Sequence, residues 1–186
     1  MKTKEVSLLQ EPQILTKKRF KLIGCVFFGD PFHQAKEWSY ENEIGKLWSR
    51  FMSLTKKYGS LMQKISPDPF IGYELHLEPE EFMKTRQYYV MVGIEVRDID
   101  QIPLEFFSKN LPTTDYLEFT TQMANKNAQG SYIYQKWMPK NKIKQRYPFI
   151  IQRYDSKRYR GLEDPSSEID WLIPIQIEEK GRIKHE

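Results

Sequence analysis

The 186-residue chain has one cysteine, three histidines and nine glycines, and each scarcity excludes something. A single thiol, Cys25, cannot close an internal disulfide, and such cysteine usage suits a reducing cytoplasm. It lies in the apolar run Leu22–Phe28, where it reads as an inert core thiol, and that run is far too short to span a bilayer. His33, His76 and His185 are scattered, so no metal site is expected. The sequence shows no G-x-S-x-G elbow, no P-loop and no dinucleotide glycine fingerprint, and no cofactor is expected. A Ser-His-Asp triad is set by geometry and is not decided by sequence. No apolar stretch follows Met1-Lys2-Thr3-Lys4-Glu5, so export is not expected. About 18 polar residues before the first strand cannot hold a helix-turn-helix. The expectation is a cytoplasmic chain that neither enters a membrane nor reads DNA sequence by itself.

Aromatic residues, at 14%, are plentiful for a chain with 39% hydrophobic content. They fill cores and also make pocket walls. The net charge of +4 is spread along the chain; Lys136 to Arg160 is its densest basic stretch and Glu74 to Glu81 its acidic one. Nucleic-acid domains cluster Lys and Arg more strongly on one face.

Residues 1–18 read as a polar arm and 180–186 as a tail. Between them, residues 19–179 form one domain made of two half-units, about 19–97 and 113–178, with 97–113 as the bridge. Strands are expected at Phe20–Phe28, Phe70–Leu77, Tyr88–Val96, Tyr116–Thr120, Phe149–Tyr154 and Ile169–Ile177. A helix is expected over Tyr40–Tyr58, with Ser39 as N-cap, Gly59 as stop and one apolar stripe from Ile44 through Leu47, Trp48, Phe51 and Leu54 to Tyr58. A second helix spans Ala128–Met138. Pro67–Val96 recurs, without a gap, 81 residues later at Pro148–Ile177. Each half is thus strand, helix, strand, strand.

Period-two alternation assigns faces. Tyr88, Val90, Val92, Ile94 and Val96 face the helices, as do Ile169, Trp171, Ile173, Ile175 and Ile177. The opposite face mixes acids and aromatics with Met91 and Leu172. We expect the ligand there, on Tyr89, Met91, Glu95, Gln152, Tyr154, Asp170 and Leu172. Trp48 and Trp137 are expected to hold helices to the sheet.

Ile44–Phe51, Tyr89–Val96, Leu111–Phe119, Tyr134–Pro139 and Asp170–Ile175, in that order and spacing, resemble the GyrI-like, AraC-type effector-binding domain family from about Phe20 to Glu178. The resemblance implies an α+β fold of tandem strand–helix–strand–strand units with pseudo-twofold symmetry, an antiparallel sheet with helices on one face, and a central ligand cleft. It implies a small aromatic or cationic organic molecule as ligand and a protein partner carrying a DNA-binding domain. Two further roles occur in the family. One is hydrolysis, for which Glu95 would be the base and Tyr154 or Tyr89 a hydrogen-bond donor; the other is gyrase-type protein inhibition. Where the family carries pocket glutamates, this chain has Gln87 and Gln152, which keep hydrogen bonding but remove charge.

Overall fold

The structure, a computed structural model, describes residues 7–98 and 102–177; the tail 180–186 and residues 1–6 lie outside them. Among the described residues, nine strands form one antiparallel sheet: β1 Gln13–Lys18, β2 Lys21–Gly29, β3 Ile71–Leu77, β4 Tyr88–Glu95, β5 Phe107–Asn110, β6 Thr114–Gln122, β7 Ile143–Gln145, β8 Phe149–Asp155 and β9 Glu168–Ile177. Their order is β1-β6-β9-β8-β3-β4-β2-β5, with β7 also on β9. Only Arg19 and Phe20 separate β1 from β2, yet the two strands lie near opposite ends of that order. Two residues reach less than about 11 Å, so the sheet must curl on itself. The register shift between Leu15 and Lys18 and the left-handed Lys17 (φ 48°) mark the bulge where it bends. Leu111 N–H donates to Phe20 O at 2.9 Å, closing the corner.

Inside the curl, Phe20, Leu22, Tyr73, Leu75, Met91, Tyr116, Ile151 and Leu172 pack as one core. The outer face carries the helices. Helix α1 (Glu43–Lys57) and helix α2 (Gly59–Ile65) cover β2 and β4, burying Leu47, Phe51 and Met62 against Ile23, Cys25, Val90, Val92 and Ile94. Ile44, Trp48, Leu54 and Tyr58 complete the stripe. The helix begins at Asn42 rather than Ser39, because Asn42 Oδ1 accepts from Gly45 N–H at 2.8 Å while Ser39 Oγ serves a local turn to Glu41. Gly59 turns the chain into α2 instead of ending helical structure. A short helix, α3 (Phe82–Thr85), joins β3 to β4. On the second half, α4 (Lys126–Tyr132) runs through a π-helical turn, Ile133–Trp137, into α5 (Met138–Lys140). That turn, in which Met138 N–H reaches Ile133 O, stands just ahead of Pro139, which has no N–H to give. Ile133 and Met138 pack on Leu117, Phe119, Ile173 and Ile175, with Trp137 alongside.

The N-terminal arm differs from expectation in that Gln13–Lys18 is an edge strand on β6. The bridge likewise contains β5, which pairs with β2. Both are exposed edge strands with no buried face to impose alternation on their sequences.

The 81-residue repeat holds for β4 and β9, where Val92 and Ile94 match Ile173 and Ile175 on the helix face. It slips at β3 and β8. There Tyr73 lies in the inner core but Tyr154, 81 positions on, lies on the helix face. The two strands, each of seven residues, coincide end to end at a spacing of 78. The three additional residues fall in the β8–β9 connection. At that spacing Glu74 corresponds to Gln152, and the two are also direct partners across the β3–β8 ladder. The pseudo-twofold axis therefore passes between them.

Candidate functional site

Over this axis, between the two helical layers, lies a cavity of about 760 Å³. Its floor is the helix face of the two central strands: Gly72, Glu74 and His76 from β3, Ile150, Gln152 and Tyr154 from β8. Ile44, Trp48, Phe51 and Met62 from α1 and α2 form one wall, while Trp171 and Asn127 stand on the second-half side. The mouth is bounded by residues 32–40 and by Tyr159 and Leu162 of the β8–β9 connection. These two loops, one from each half, are joined: Leu162 N–H donates to Tyr40 Oη at 3.1 Å. The Lys126 ammonium sits 4.7 Å from the Trp38 ring centroid. Trp38 is held at φ 56°, a left-handed conformation that costs a non-glycine residue about 1–2 kcal/mol.

Glu74 is the chemical centre. Only 4% exposed, its carboxylate receives Trp48 Nε1–H on Oε2 at 2.6 Å and His76 Nε2–H on Oε1 at 2.6 Å. Tyr154 donates its single phenolic proton to Gln152 Oε1 at 2.5 Å, with Glu74 Oε2 a further 3.4 Å contact. Burial, and then the Glu74 charge, push the Tyr154 phenol well above its ordinary pKa. Tyr88 is raised for the same reasons in the same order. Both phenols therefore stay neutral. The Trp48 indole reaches Glu74 because β3 has no side chain at Gly72: a Cβ there would stand 2.7 Å from Trp48 Cη2. The lining includes no Lys or Arg, and among the described residues none pairs with Glu74. A carboxylate held by an indole and one imidazole has acceptor capacity to spare and no guanidinium or ammonium partner in the lining.

The seven residues expected to form the site do not share a face. Gln152 and Tyr154 line the cavity. Met91 and Leu172 lie in the filled interior of the curl, at 4% and 0% exposure. Tyr89 is exposed, its ring 4.5 Å from that of Phe28. Glu95 accepts from Tyr73 Oη at 3.0 Å and Lys18 Nζ at 2.9 Å. Asp170 is enclosed by Thr120, Arg153 and Arg158. Trp48, expected as a helix-to-sheet contact, is also a wall of the cavity. Glu74 and His76 were missed. Their signal is the alternation of Gly72, Glu74 and His76 in β3, a polar face that a two-layer fold would ordinarily give to solvent. Here a helix covers it without filling the space.

No helix among the described residues is long and apolar enough to cross a membrane, and no cluster of potential metal ligands occurs among them.

A curled antiparallel sheet with paired helices flanking a central cavity is the architecture of an effector-binding domain. Residues 13–175 match the family of integron-associated effector binding proteins, Cass2, and the chain belongs to that family. It is similar to the transcriptional regulator BrlR of Pseudomonas aeruginosa, with 22% identity over 165 residues, 88% of this chain and 54% of BrlR. The chain thus spans about half the length of that relative. Among solved structures, SAV2435 bound to tetraphenylphosphonium matches with a TM-score of 0.62 and 12% identity over 90% of this chain and 94% of that one. The integron cassette protein VCH_CASS2, from the mobile metagenome of Vibrio cholerae, matches with a TM-score of 0.54 and 15% identity over 90% and 97%. At such identities these structural likenesses are of fold alone.

Proposed function

We propose that the cavity binds a lipophilic organic cation carrying aromatic groups and a single positive charge. The observation that carries this reading is Glu74, a buried carboxylate on the floor of an aromatic-walled space with no lysine or arginine in its lining. Aromatic faces attract a cation through their quadrupoles, and a desolvated carboxylate supplies the counter-charge. The cavity volume falls within the range of small-molecule sites, and a protein of this fold holds tetraphenylphosphonium. Gln152 and Tyr154 would orient the ligand, while Trp48 and Tyr88 would flank it. In transcription control, such binding would act through a DNA-binding partner or segment.

Titration calorimetry with tetraphenylphosphonium and with neutral triphenylphosphine oxide tests the assignment. Glu74→Gln is expected to weaken the cation at least tenfold, about 1.4 kcal/mol, and to change the neutral compound little. Equal affinity of wild type and E74Q for the cation would remove the basis of the proposal. The hydrolase reading gains no support from geometry, because Glu95 is engaged by Tyr73 and Lys18 on the sheet face away from the cavity.

A further inference from the structure

We infer that His76 is a built-in competitor of the cation, so that ligand binding at this site is coupled to release of a proton. The inference rests on the cation reading above. Its basis is a contact that this reading does not use. His76 Nε2 lies 2.6 Å from Glu74 Oε1, on the same floor and strand face and inside the same cavity. An ionised carboxylate only accepts, so Nε2 must carry a hydrogen. The proton that comes and goes is then the one on Nδ1. With Nδ1 bare, the imidazole is a neutral donor and Glu74 keeps its charge. With Nδ1 protonated, the imidazolium is itself the counter-ion of Glu74, already seated where an incoming cation would find its attraction.

Among the described residues, the groups that meet His76 and its neighbours are acidic or phenolic. Glu74 on β3 touches His76, and Glu78, just past the end of that strand, interacts with it electrostatically. Tyr88 on β4 places its ring 5.4 Å from the imidazole. Glu74, Glu37, Asp30 and Glu78 are the charges that act on Tyr88. Tyr154 on β8 reaches Glu74 from the other side. All of these are carboxylates or phenols. The side chain is 16% exposed, enough for a proton to pass to water. Histidine is also the one side-chain type whose ordinary titration falls between about pH 5 and 8.

The consequence is a linkage. A ligand that favours the uncharged imidazole must expel the Nδ1 proton to solvent, and its affinity must fall as the pH drops through the titration. The limiting slope is about tenfold per pH unit for one proton. A neutral ligand of similar shape gains nothing from the Glu74 charge and carries no such slope. The pair therefore sorts ligands by charge more sharply at neutral pH than in acid.

Calorimetric titration of the full chain with tetraphenylphosphonium from pH 5.5 to 8, in two buffers of different ionisation enthalpy, reads this directly. The probe has no titratable group, so any proton counted comes from the protein. We expect wild type to weaken by about tenfold or more over this range and to release a fraction of a proton that rises in acid. His76→Gln should bind the cation with no pH slope in this range and no proton release, and triphenylphosphine oxide should show neither in wild type. Cation binding without proton release by wild type, or a slope that survives in H76Q, would overturn the inference and leave the cation reading standing. No binding at any pH would overturn both. The wild-type proton count needs no variant, so it decides the matter even if H76Q does not fold.

Discussion

Two buried carboxylates, one on each face of the same sheet, are treated in opposite ways. Asp170, 2% exposed, accepts from Thr120 Oγ1 at 2.7 Å, from Arg153 Nε and Nη2 at 3.0 and 2.8 Å, and from both terminal nitrogens of Arg158. Burial pulls its carboxyl upward, but the bonds from Arg158, Thr120 and Arg153 outweigh that and hold it below the usual aspartate range. Glu74 is buried to a similar degree, yet receives only an indole and an imidazole, with a phenol in distant contact. A carboxylate closed off by two guanidiniums is a structural joint. One left with neutral donors in an open cavity is available to something else. Charge neutralisation, more than burial, separates the two roles.

Substitutions can break this contrast, and the largest effect should come from the joint. Asp170→Ala takes from Arg153 and Arg158 their most buried partner, leaving them Glu118 and Glu168, and is expected to cost about 3 kcal/mol in urea unfolding, with cation affinity retained by the folded fraction. The pH dependence has a definite sign. Asp170 has a folded pKa below the unfolded value of about 3.9, so its contribution is complete above that value. It is lost as the pH falls through the folded one. Asp170→Asn should therefore lose less further stability than wild type between about pH 4 and 2. An identical acid decline in the two proteins would deny Asp170 this role.

Gly72→Ala should come next. Its methyl group would push the Trp48 ring off the sheet, costing about 1–3 kcal/mol of stability and also weakening ligand binding, because the Trp48–Glu74 bond goes with it. Thermal unfolding and calorimetry on the same sample would show whether both fall together. The smallest effect belongs to Glu95→Gln. It keeps an acceptor for Tyr73, loses only the partly exposed Lys18 pair, and should stay within about 1 kcal/mol with unchanged ligand affinity. Weakened cation binding in this variant would place the site on the wrong face.

Much of the fold was legible, because β4, β9 and α1 have apolar faces that their periods reveal. Val90, Val92, Ile94, Ile173 and Ile175 fall on the helix side as alternation requires. Of the residues expected to hold a ligand, only Gln152 and Tyr154 line the cavity. The ungapped overlay of 81 residues passed through β3 and β8 three residues out of register, and any odd slip exchanges the faces of a strand. Gln152 and Tyr154, drawn from the resemblance rather than from the overlay, lie on the opposite side of the sheet from Met91 and Leu172. The resemblance to effector-binding domains rightly indicated a central cleft with helices on one face. It did not say which face of the sheet the cleft would use. The apolar side of β3, with Tyr73 and Leu75, faces the inner curl. The polar strand β1 stayed hidden because its side chains are mostly exposed.

The axis between Glu74 and Gln152 has one more consequence. In a molecule made of two identical halves, whatever residue stands at this position would face its own copy directly across the ladder. Two glutamates there would repel, since like charges placed opposite each other destabilise a sheet. Two glutamines would leave the floor without charge. One of each escapes both outcomes, and it removes an ambiguity as well: a mirror-paired floor would accept an unsymmetrical guest equally well in two poses, whereas a floor charged on one side of its axis favours one.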